Sequence, residues 1–399
     1  MDKGFHQMAL DKNKIYADTP GKKNVIHFNN AGASLMTQVV LDTQKDYLDL
    51  EASIGGYEAL AKSQEKIENV YKSVAKLINA NADEIAIVEN ATVGWAMAFY
   101  AIDFKPGDRI LTVEAEYVSN FIAYLHMAKE TGVSIEVIPS GEDGKLQIDI
   151  LEQMIDENVK LISATHVPTN SGLVNAVAEI GKVAKKHNIL FLLDACQSAG
   201  QMPLDVEELG CDMLSATSRK YLRGPRGVGF LYVRKSIIKT LHPPIVDLRS
   251  AKWVSPTVYE LRPDAKRFEN WEGNGAAKLG FGAAVDYALD IGIDNIKARI
   301  DELAANLRQK LSELNAVHVH AISDQQCAIT TFYVEGHEAA EIVHQLREKG
   351  INTSLSEPSS TLLDATKNKL PNLIRASIHY YNDEDEIDQF IDILRTILQ

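Results

Sequence analysis

The chain has 399 residues, of which 45% are hydrophobic and 24% are charged, and its formal net charge is −14. This length favours two domains over one, and the composition is that of a globular protein that can bury a large core. The acidic charge, with no basic block to offset it, argues against a nucleic-acid partner and against adhesion to anionic membranes.

The three cysteines, Cys196, Cys211 and Cys327, form neither a CxxC pair nor the spacing of a zinc site. We therefore expect no metal centre and a reduced, cytoplasmic protein. The first residues open no apolar signal segment, and no window approaches the roughly 18 apolar residues of a membrane-spanning helix, so neither secretion nor a membrane span is expected.

Residues 1–23 are polar and are predicted to form an N-terminal arm. Apolar residues at helical spacing between Ile67 and Ile78 then predict a helix that buries one face. After it, short apolar strands alternate with amphipathic helices, which implies a mostly parallel sheet covered on both faces. The predicted strands span residues 85–89, 109–114, 134–139, 160–166, 189–195, 213–217 and 228–233, and the helices lie near Trp95, Phe121, Ile150 and Ile180.

Residues 241–267 are rich in proline and weakly periodic, so we expect a long connection there, packed near a neighbouring subunit. A long helical pattern from residue 275 to about residue 314 then leads into a second domain. Its predicted strands span residues 317–322, 327–334 and 374–380, and its helices lie near Ile342 and Ile391. The predicted organisation is an arm at 1–23, a large domain at 24–274 and a small C-terminal domain at 275–399.

The most specific segment is residues 215–227, which read SATSRKYLRGPRG and surround Lys220 with hydroxyls, arginines and a glycine-rich turn. It follows an apolar strand that ends at Asp194. A lysine amine that condenses with an aldehyde, a carboxylate that keeps a pyridine nitrogen protonated, and polar groups for a phosphate are what pyridoxal phosphate (PLP) requires. The 26-residue separation would bring both side chains to the same end of the sheet. For Asp194 alone, a helix N-cap is the alternative.

These residues resemble the PLP enzymes of fold-type I in the class V aminotransferase family. The family includes cysteine desulfurases, selenocysteine lyases, kynureninase and isopenicillin N epimerase-like proteins, and matching motifs run from Phe28 to Asn382. The resemblance implies an α/β fold, with a mostly parallel seven-stranded sheet in the large domain and a smaller α+β C-terminal domain. It also implies a homodimer with the cofactor near the subunit interface.

The resemblance assigns roles to residues of the central motifs. Lys220 would hold PLP and remove the substrate's Cα proton, Asp194 would pair with the pyridine nitrogen, and Gln197 would hydrogen-bond the ring hydroxyl oxygen. Thr217 and Arg219 suit the phosphate.

Three further positions are expected to contact the cofactor. Ala91 and Thr92 resemble the family's phosphate-binding turn, although Thr92 is equally suited to be a helix N-cap. Thr169 is placed in register with a ligand of the ring oxygen, with Asn170 one step away as the alternative. Tyr117 stands where cysteine desulfurases carry a histidine that stacks on the ring and transfers protons; a tyrosine can stack, but it is a poorer proton shuttle.

Substrate binding is expected at Arg375, an arginine within an apolar strand pattern, for which an internal salt bridge is the alternative. The resemblance assigns Arg375 to the substrate's α-carboxylate. Asn30, Ala31 and Gly32 resemble a loop that meets the same carboxylate through backbone N–H groups.

Two departures from the family bear on the reaction. Residues 352–361, where cysteine desulfurases carry a persulfide-forming cysteine, contain none. Glu272 stands where many relatives have a threonine that reaches the partner subunit's phosphate, so that contact is missing or is made by Asn274.

The sequence therefore predicts a PLP-dependent C–S lyase that acts by β-elimination on a cysteine derivative or cysteine sulfoxide, without a persulfide cysteine. The alternatives are a class V aminotransferase or an epimerase of the isopenicillin N epimerase type. A catalytically silent protein of the same fold is disfavoured by the intact set of Lys220, Asp194, Thr217 and Arg375. A dinucleotide enzyme is disfavoured because no G-x-G-x-x-G follows a strand.

Overall fold

The computed structural model describes residues 10–320 and 326–399. The first nine residues of the predicted arm, and the last two of the strand predicted at 317–322, lie outside this part. The described N-terminal region is mainly helical: α1 is Lys12–Ala17, β1 is Ile26–His27, α2 is Gln38–Ile54, α3 is Gly56–Lys62 and α4 is Gln64–Leu77. As the spacing predicted, α4 buries Ile67, Val70, Tyr71 and Val74 on one face.

Strands and helices then alternate. The strands are β2 Ile85–Val88, β3 Arg109–Val113, β4 Ser134–Ile138, β5 Val159–Thr165, β6 Leu190–Asp194, β7 Met213–Thr217 and β8 Gly229–Val233. The helices are α5 Ala91–Phe99, α6 Val118–Thr131, α7 Ile148–Met154, α8 Val177–His187 and α9 Val206–Leu209. The seven strands form one sheet in the order β2-β8-β7-β6-β5-β3-β4. Only β8 runs antiparallel to its neighbours, so the predicted mostly parallel, seven-stranded sheet is confirmed.

The region 241–267, predicted as a connection, contains a hairpin of β9 Ala251–Ser255 and β10 Val258–Leu261. The prediction missed it because most of its side chains are exposed on both faces, which leaves no apolar–polar alternation to read. Two long helices follow, α10 Gly275–Ile291 and α11 Ile293–Ser312.

A second, four-stranded antiparallel sheet follows α11, in the order β11-β12-β15-β14. Its region comprises β11 Val317–His320, β12 Ile329–Val334, α12 Ala339–Glu348, β13 Ile351–Asn352, β14 Ser354–Ser356, α13 Leu362–Lys367, β15 Leu373–Ser377 and α14 Glu384–Ile397. Strand β1 pairs in parallel with β13, so the start of the chain joins the C-terminal region. The domain boundaries at 23/24 and 274/275 stay a prediction.

The architecture brings the carboxyl ends of β5, β6 and β7 side by side, at Thr165, Asp194 and Thr217. Ligands of open α/β sheets bind at such strand ends. The turn after β6 approaches the Lys220 loop so closely that a Cβ on Gly200, which has φ +93°, would lie 2.5 Å from the Tyr221 carbonyl carbon. Only glycine tolerates this combination of conformation and contact.

Across the described ranges, none of the helices combines the length and apolar character needed to traverse a lipid bilayer. Within the same ranges, no cluster of three or more His, Cys, Asp or Glu side chains could hold a metal ion.

Candidate active site

A cavity of about 440 Å³ opens at the carboxyl ends of these strands. It is lined by every residue predicted to contact the cofactor: Ala91, Thr92, Tyr117, Thr169, Asp194, Gln197, Thr217, Arg219 and Lys220. These residues come from five separate segments of the chain, and the sheet topology is what brings them together. Their roles toward PLP stay predictions, whereas their convergence is a property of the fold.

One end of the cavity is formed by the N-terminus of α5. Asn90 is the N-cap, because its Oδ1 accepts a hydrogen bond from the Val93 N–H at 3.0 Å. Thr92 is therefore not the cap, which removes the alternative for that residue. Ala91 and Thr92 lie in the first turn, where helix N–H groups lack intrahelical acceptors and the dipole favours an anion. This end of the cavity suits a phosphate.

Lys220 lies in the wall opposite α5. Burial lowers the pKa of its amine, and the positive charges of Arg219 and Arg375 lower it further against the opposing effect of Asp194. Within the described residues, no carboxylate lies at ion-pairing distance from Lys220. A lysine with a lowered pKa is more often neutral, and the neutral amine is the form that attacks an aldehyde.

Asp194 is buried at the end of β6. Its Oδ2 accepts a hydrogen bond from Asn120 Nδ2 at 3.0 Å, and its Oδ1 accepts one from the Cys196 N–H at 2.9 Å. No helix begins at this turn, so Asp194 is not a helix N-cap. The two bonds fix its carboxylate at the floor of the cavity, where a cationic ring nitrogen could meet it.

The side-chain amide of Gln197 indicates that the cavity binds a ligand with a polar group. Its Nε2 donates to the Ala31 carbonyl oxygen at 3.2 Å, while its buried Oε1 has no partner among the described residues. A buried amide oxygen without a partner is costly, and a ring hydroxyl would satisfy it. Together with the anion site at α5, this atom makes the residues present fit PLP.

Arg375 lies in β15 and contacts Thr169, which lines the cavity. Its Nη1 donates to Thr169 Oγ1 at 2.5 Å and to the Thr169 carbonyl oxygen at 3.2 Å, and its Nε donates to Ser354 Oγ at 3.1 Å. Burial lowers its pKa, and no carboxylate pairs with it among the described residues. The internal salt bridge considered for Arg375 is therefore absent from the described structure.

The side chains of Asn170 and Thr169 lie in different environments. Asn170 is buried and donates from Nδ2 to Asp364 Oδ2 at 2.7 Å, whereas Thr169 lines the cavity. The geometry favours Thr169 as the cavity residue of this turn, and it places Thr169 against Arg375 as well.

The loop 30–32 differs from its predicted use. The Asn30 N–H donates to the Ser377 carbonyl oxygen, the Ala31 N–H to Ser377 Oγ and the Gly32 N–H to the Asn29 carbonyl oxygen. The prediction that these N–H groups meet a substrate carboxylate is therefore not supported, because all three already have acceptors. The carbonyl oxygens of Ala31 and Gly32 instead accept hydrogen bonds from Gln197 and Arg219, so the loop orients two cavity side chains.

Asn274, the alternative phosphate contact, has a structural role as well, and its contact with a partner subunit's phosphate stays a prediction. Asn274 caps α10, since its Oδ1 accepts a hydrogen bond from the Ala277 N–H at 2.8 Å. Glu272, which stands in the threonine's place, is exposed.

The cysteines carry no sign of an activated thiolate. Cys211 and Cys327 are buried, and burial raises their pKa values to about 12 and about 11. Cys196 lines the cavity, and burial together with the charge of Asp194 raises its pKa as well. Reactive cysteines have lowered pKa values, so none of the three resembles one.

Two buried residues behind the cavity were missed by the sequence reasoning. Glu116 and Asn120 are both buried, and Asn120 links Glu116 to Asp194. Glu116 lies two residues before α6 and Asn120 lies in its first turn, so the available signal was a carboxylate and an amide that closely follow the end of β3.

Comparison with known proteins identifies the family to which this chain belongs. The chain matches the family described as Aminotransferase class-V over residues 25–390. It is 29% identical over 391 residues to a probable cysteine desulfurase of Pyrococcus abyssi, covering 96% of this chain and 97% of the relative. An apo cysteine desulfurase of Thermococcus onnurineus is 27% identical, with a TM-score of 0.89 and coverage of 96% and 97%.

A third similar protein is the cystine C–S lyase C-DES. In the structure of its complex with cysteine persulfide, the C-DES chain is 25% identical to this chain and has a TM-score of 0.86. The match covers 94% of this chain and 98% of the C-DES chain. A mutant of C-DES carries glycine covalently linked to PLP. The predicted α/β fold, the PLP cofactor and the enzymatic class are thereby confirmed. With a family match that spans most of its length, this chain belongs to the class V aminotransferase family of PLP-dependent enzymes.

Proposed function

We propose that this enzyme is a C–S lyase that performs β-elimination on a cysteine derivative or cysteine sulfoxide without a persulfide-carrying cysteine. The observation that carries the proposal is Lys220 in the cavity wall together with Arg375, which contacts the cavity residue Thr169 and has no carboxylate partner among the described residues. An amino-acid substrate needs two groups here. One is a lysine amine that reacts with the cofactor, and the other is a guanidinium that binds the substrate's carboxylate. The similarity to a cystine C–S lyase supports the choice of sulfur substrate.

PLP, when bound, supplies an electron sink for bonds broken at the substrate's Cα. Asp194 holds the ring nitrogen by a charge-assisted hydrogen bond, and the first turn of α5 binds the phosphate. The guanidinium of Arg375, oriented by Thr169 and Ser354, binds the substrate carboxylate. Lys220, with its lowered pKa, takes the proton from Cα.

The sulfur leaves the substrate together with its own substituent. The bonds broken are Cα–H and Cβ–S, and the enamine that remains hydrolyses to pyruvate and ammonia. Residues 352–361 supply serine and threonine hydroxyls but no thiol, so this loop cannot store sulfur as a persulfide. Tyr117, a partly exposed residue of the cavity lining, would stack on the cofactor ring.

The enzyme is further proposed to be a cytoplasmic homodimer. The hairpin β9–β10 and its surroundings expose large apolar side chains, with Trp253 78%, Leu248 65% and Tyr259 58% exposed. A cluster of exposed apolar side chains of this kind marks an interaction surface, which supports a subunit interface near residues 241–267. The three cysteines, none of them in a disulfide, fit a reducing compartment.

The test is product analysis with a panel of cysteine derivatives, cysteine sulfoxides and common amino acids. We expect equal amounts of pyruvate and ammonia, without any keto-acid co-substrate and without protein persulfide. An aminotransferase would stop after one turnover until a keto acid is added. An epimerase would exchange the α-proton for deuterium without releasing ammonia. Either of these results across the whole panel would overturn the lyase assignment.

A further inference from the structure

Two buried carboxylates lie behind the floor of the cavity and share one amide group. Asn120 Nδ2 donates to Glu116 Oε1 at 2.9 Å and to Asp194 Oδ2 at 3.0 Å. Glu116 is 3% exposed and Asp194 is 6% exposed. Asp194 lines the cavity, but Glu116 does not, so Glu116 can influence the cavity only through its neighbours.

The groups that surround Glu116 are neutral donors. Its carboxylate also accepts hydrogen bonds from Thr112 Oγ1 at 3.2 Å, from the Tyr117 N–H at 2.7 Å and from Thr165 Oγ1. The titratable groups that face it are Asp194 at the end of β6 and the phenol of Tyr124 on α6, while β3 and β5 contribute hydroxyls. In the part of the chain that the structure describes, no lysine, arginine or histidine pairs with either Glu116 or Asp194.

This arrangement has an electrostatic consequence. Two negative charges held together in a buried site repel each other, and the repulsion is relieved when a positive charge binds to one of them. Asp194 lines the cavity, so a ligand bound there can bring such a charge to the pair. The amine of Lys220 also feels the charge of Asp194, but it does not lie at ion-pairing distance from it. The negative charge of Glu116 therefore makes Asp194 bind a cationic group more strongly.

We propose that Glu116 is a positioning residue whose negative charge, coupled through the amide of Asn120, makes Asp194 hold the cofactor's ring nitrogen in its protonated form. This inference rests on the proposed function, because it concerns the same site. Glu116 touches neither substrate nor cofactor; it acts through Asp194. Burial, and to a smaller extent the charge of Asp194, raise the pKa of Glu116 to about 7, so the negative charge that acts on Asp194 is present mainly above neutral pH.

The test uses the PLP-loaded protein with ¹⁵N in the cofactor ring, because the ¹⁵N chemical shift distinguishes a protonated from a neutral ring nitrogen. E116Q keeps the shape of the side chain and removes its charge. T112V removes a hydrogen-bond donor to Glu116 and leaves the cavity lining unchanged. Loss of this donor favours the neutral form of the Glu116 carboxyl. T112V is therefore the variant to use if E116Q does not fold. The matched control is E84Q, a buried glutamate bonded to the N–H groups of Asn81 and Lys235, far from the cavity.

The deprotonation midpoint of the ring nitrogen should fall by about one pH unit in E116Q, given the strength of close charge interactions at buried sites. T112V should show a smaller shift in the same direction, and E84Q none. Retention of PLP on dialysis should weaken several-fold in E116Q.

An unchanged midpoint in both E116Q and T112V, or an equal shift in E84Q, would overturn the proposal. Failure of the lyase assignment looks different, since the wild type would then release no pyruvate while the shift of the ring nitrogen persists.

Discussion

The buried carboxyl of Glu116 gives the cofactor-free protein a predictable dependence of stability on pH. Burial raises the pKa of Glu116 from its usual 4.5 to about 7. Between these values the folded chain binds a proton that the unfolded chain releases, so the stability contributed by this group falls as the pH rises from 4.5 to 7. The shift corresponds to about 3 kcal/mol, since each pKa unit is worth about 1.36 kcal/mol.

Glutamine in place of Glu116 removes this dependence because an amide does not titrate. We expect the free energy of unfolding of E116Q minus that of wild type to be about 2.5 kcal/mol more positive near pH 8 than near pH 5, because only the wild type loses stability over this range. Changes in hydrogen bonding that do not depend on pH cancel in this comparison. Urea denaturation of the cofactor-free proteins at the two pH values measures it, with E84Q as the control.

A relative stability that is the same at both pH values would refute the reasoning. It would mean that Glu116 titrates near its usual value, and that burial and the charge of Asp194 do not act on it as the geometry requires. A difference of the opposite sign would mean that an unidentified cation stabilises the carboxylate in solution.

Four further predictions concern the site and the assembly. Borohydride reduction of the yellow protein, followed by peptide mapping, should place the pyridoxyl group on Lys220, and label on another lysine would contradict this assignment. D194A should keep the fold but lose most turnover, since it removes a charge-assisted hydrogen bond worth about 1.5–3 kcal/mol; near-normal turnover would show that another residue does this work. R375A should raise KM strongly with PLP retention unchanged, whereas loss of PLP alone would make Arg375 a structural or phosphate ligand. Sedimentation should show a homodimer that W253E weakens, and a fully active wild-type monomer would exclude the proposed interface.

Much of the fold was predictable because its signals are local. The strands of the main sheet are short and mostly buried apolar runs, which sequence reveals directly. The cavity residues could be named because they follow strand ends or precede a helix, and the sheet topology then brings strand ends together.

What could not be predicted depends on distant partners. The loop 30–32 is held by Ser377, which is separated from Asn30 by 347 positions, so nothing near the loop reveals that its N–H groups are already bonded. The link from Asn120 to Asp194 spans 74 positions. The sequence shows that Glu116 and Asn120 closely follow β3, but it could not show which strand end they would meet.

The attachment of the loop 30–32 to β15 has a consequence for biosynthesis. Ala31 and Gly32 orient Gln197 and Arg219, yet the loop takes its own position from Ser377 and from the pairing of β1 with β13. Contacts of such long sequence separation form late, because the chain between them must be made first. A nascent chain of only the first three hundred residues therefore lacks the contacts that position this loop, and it gains them only after β13 and Ser377 have been made.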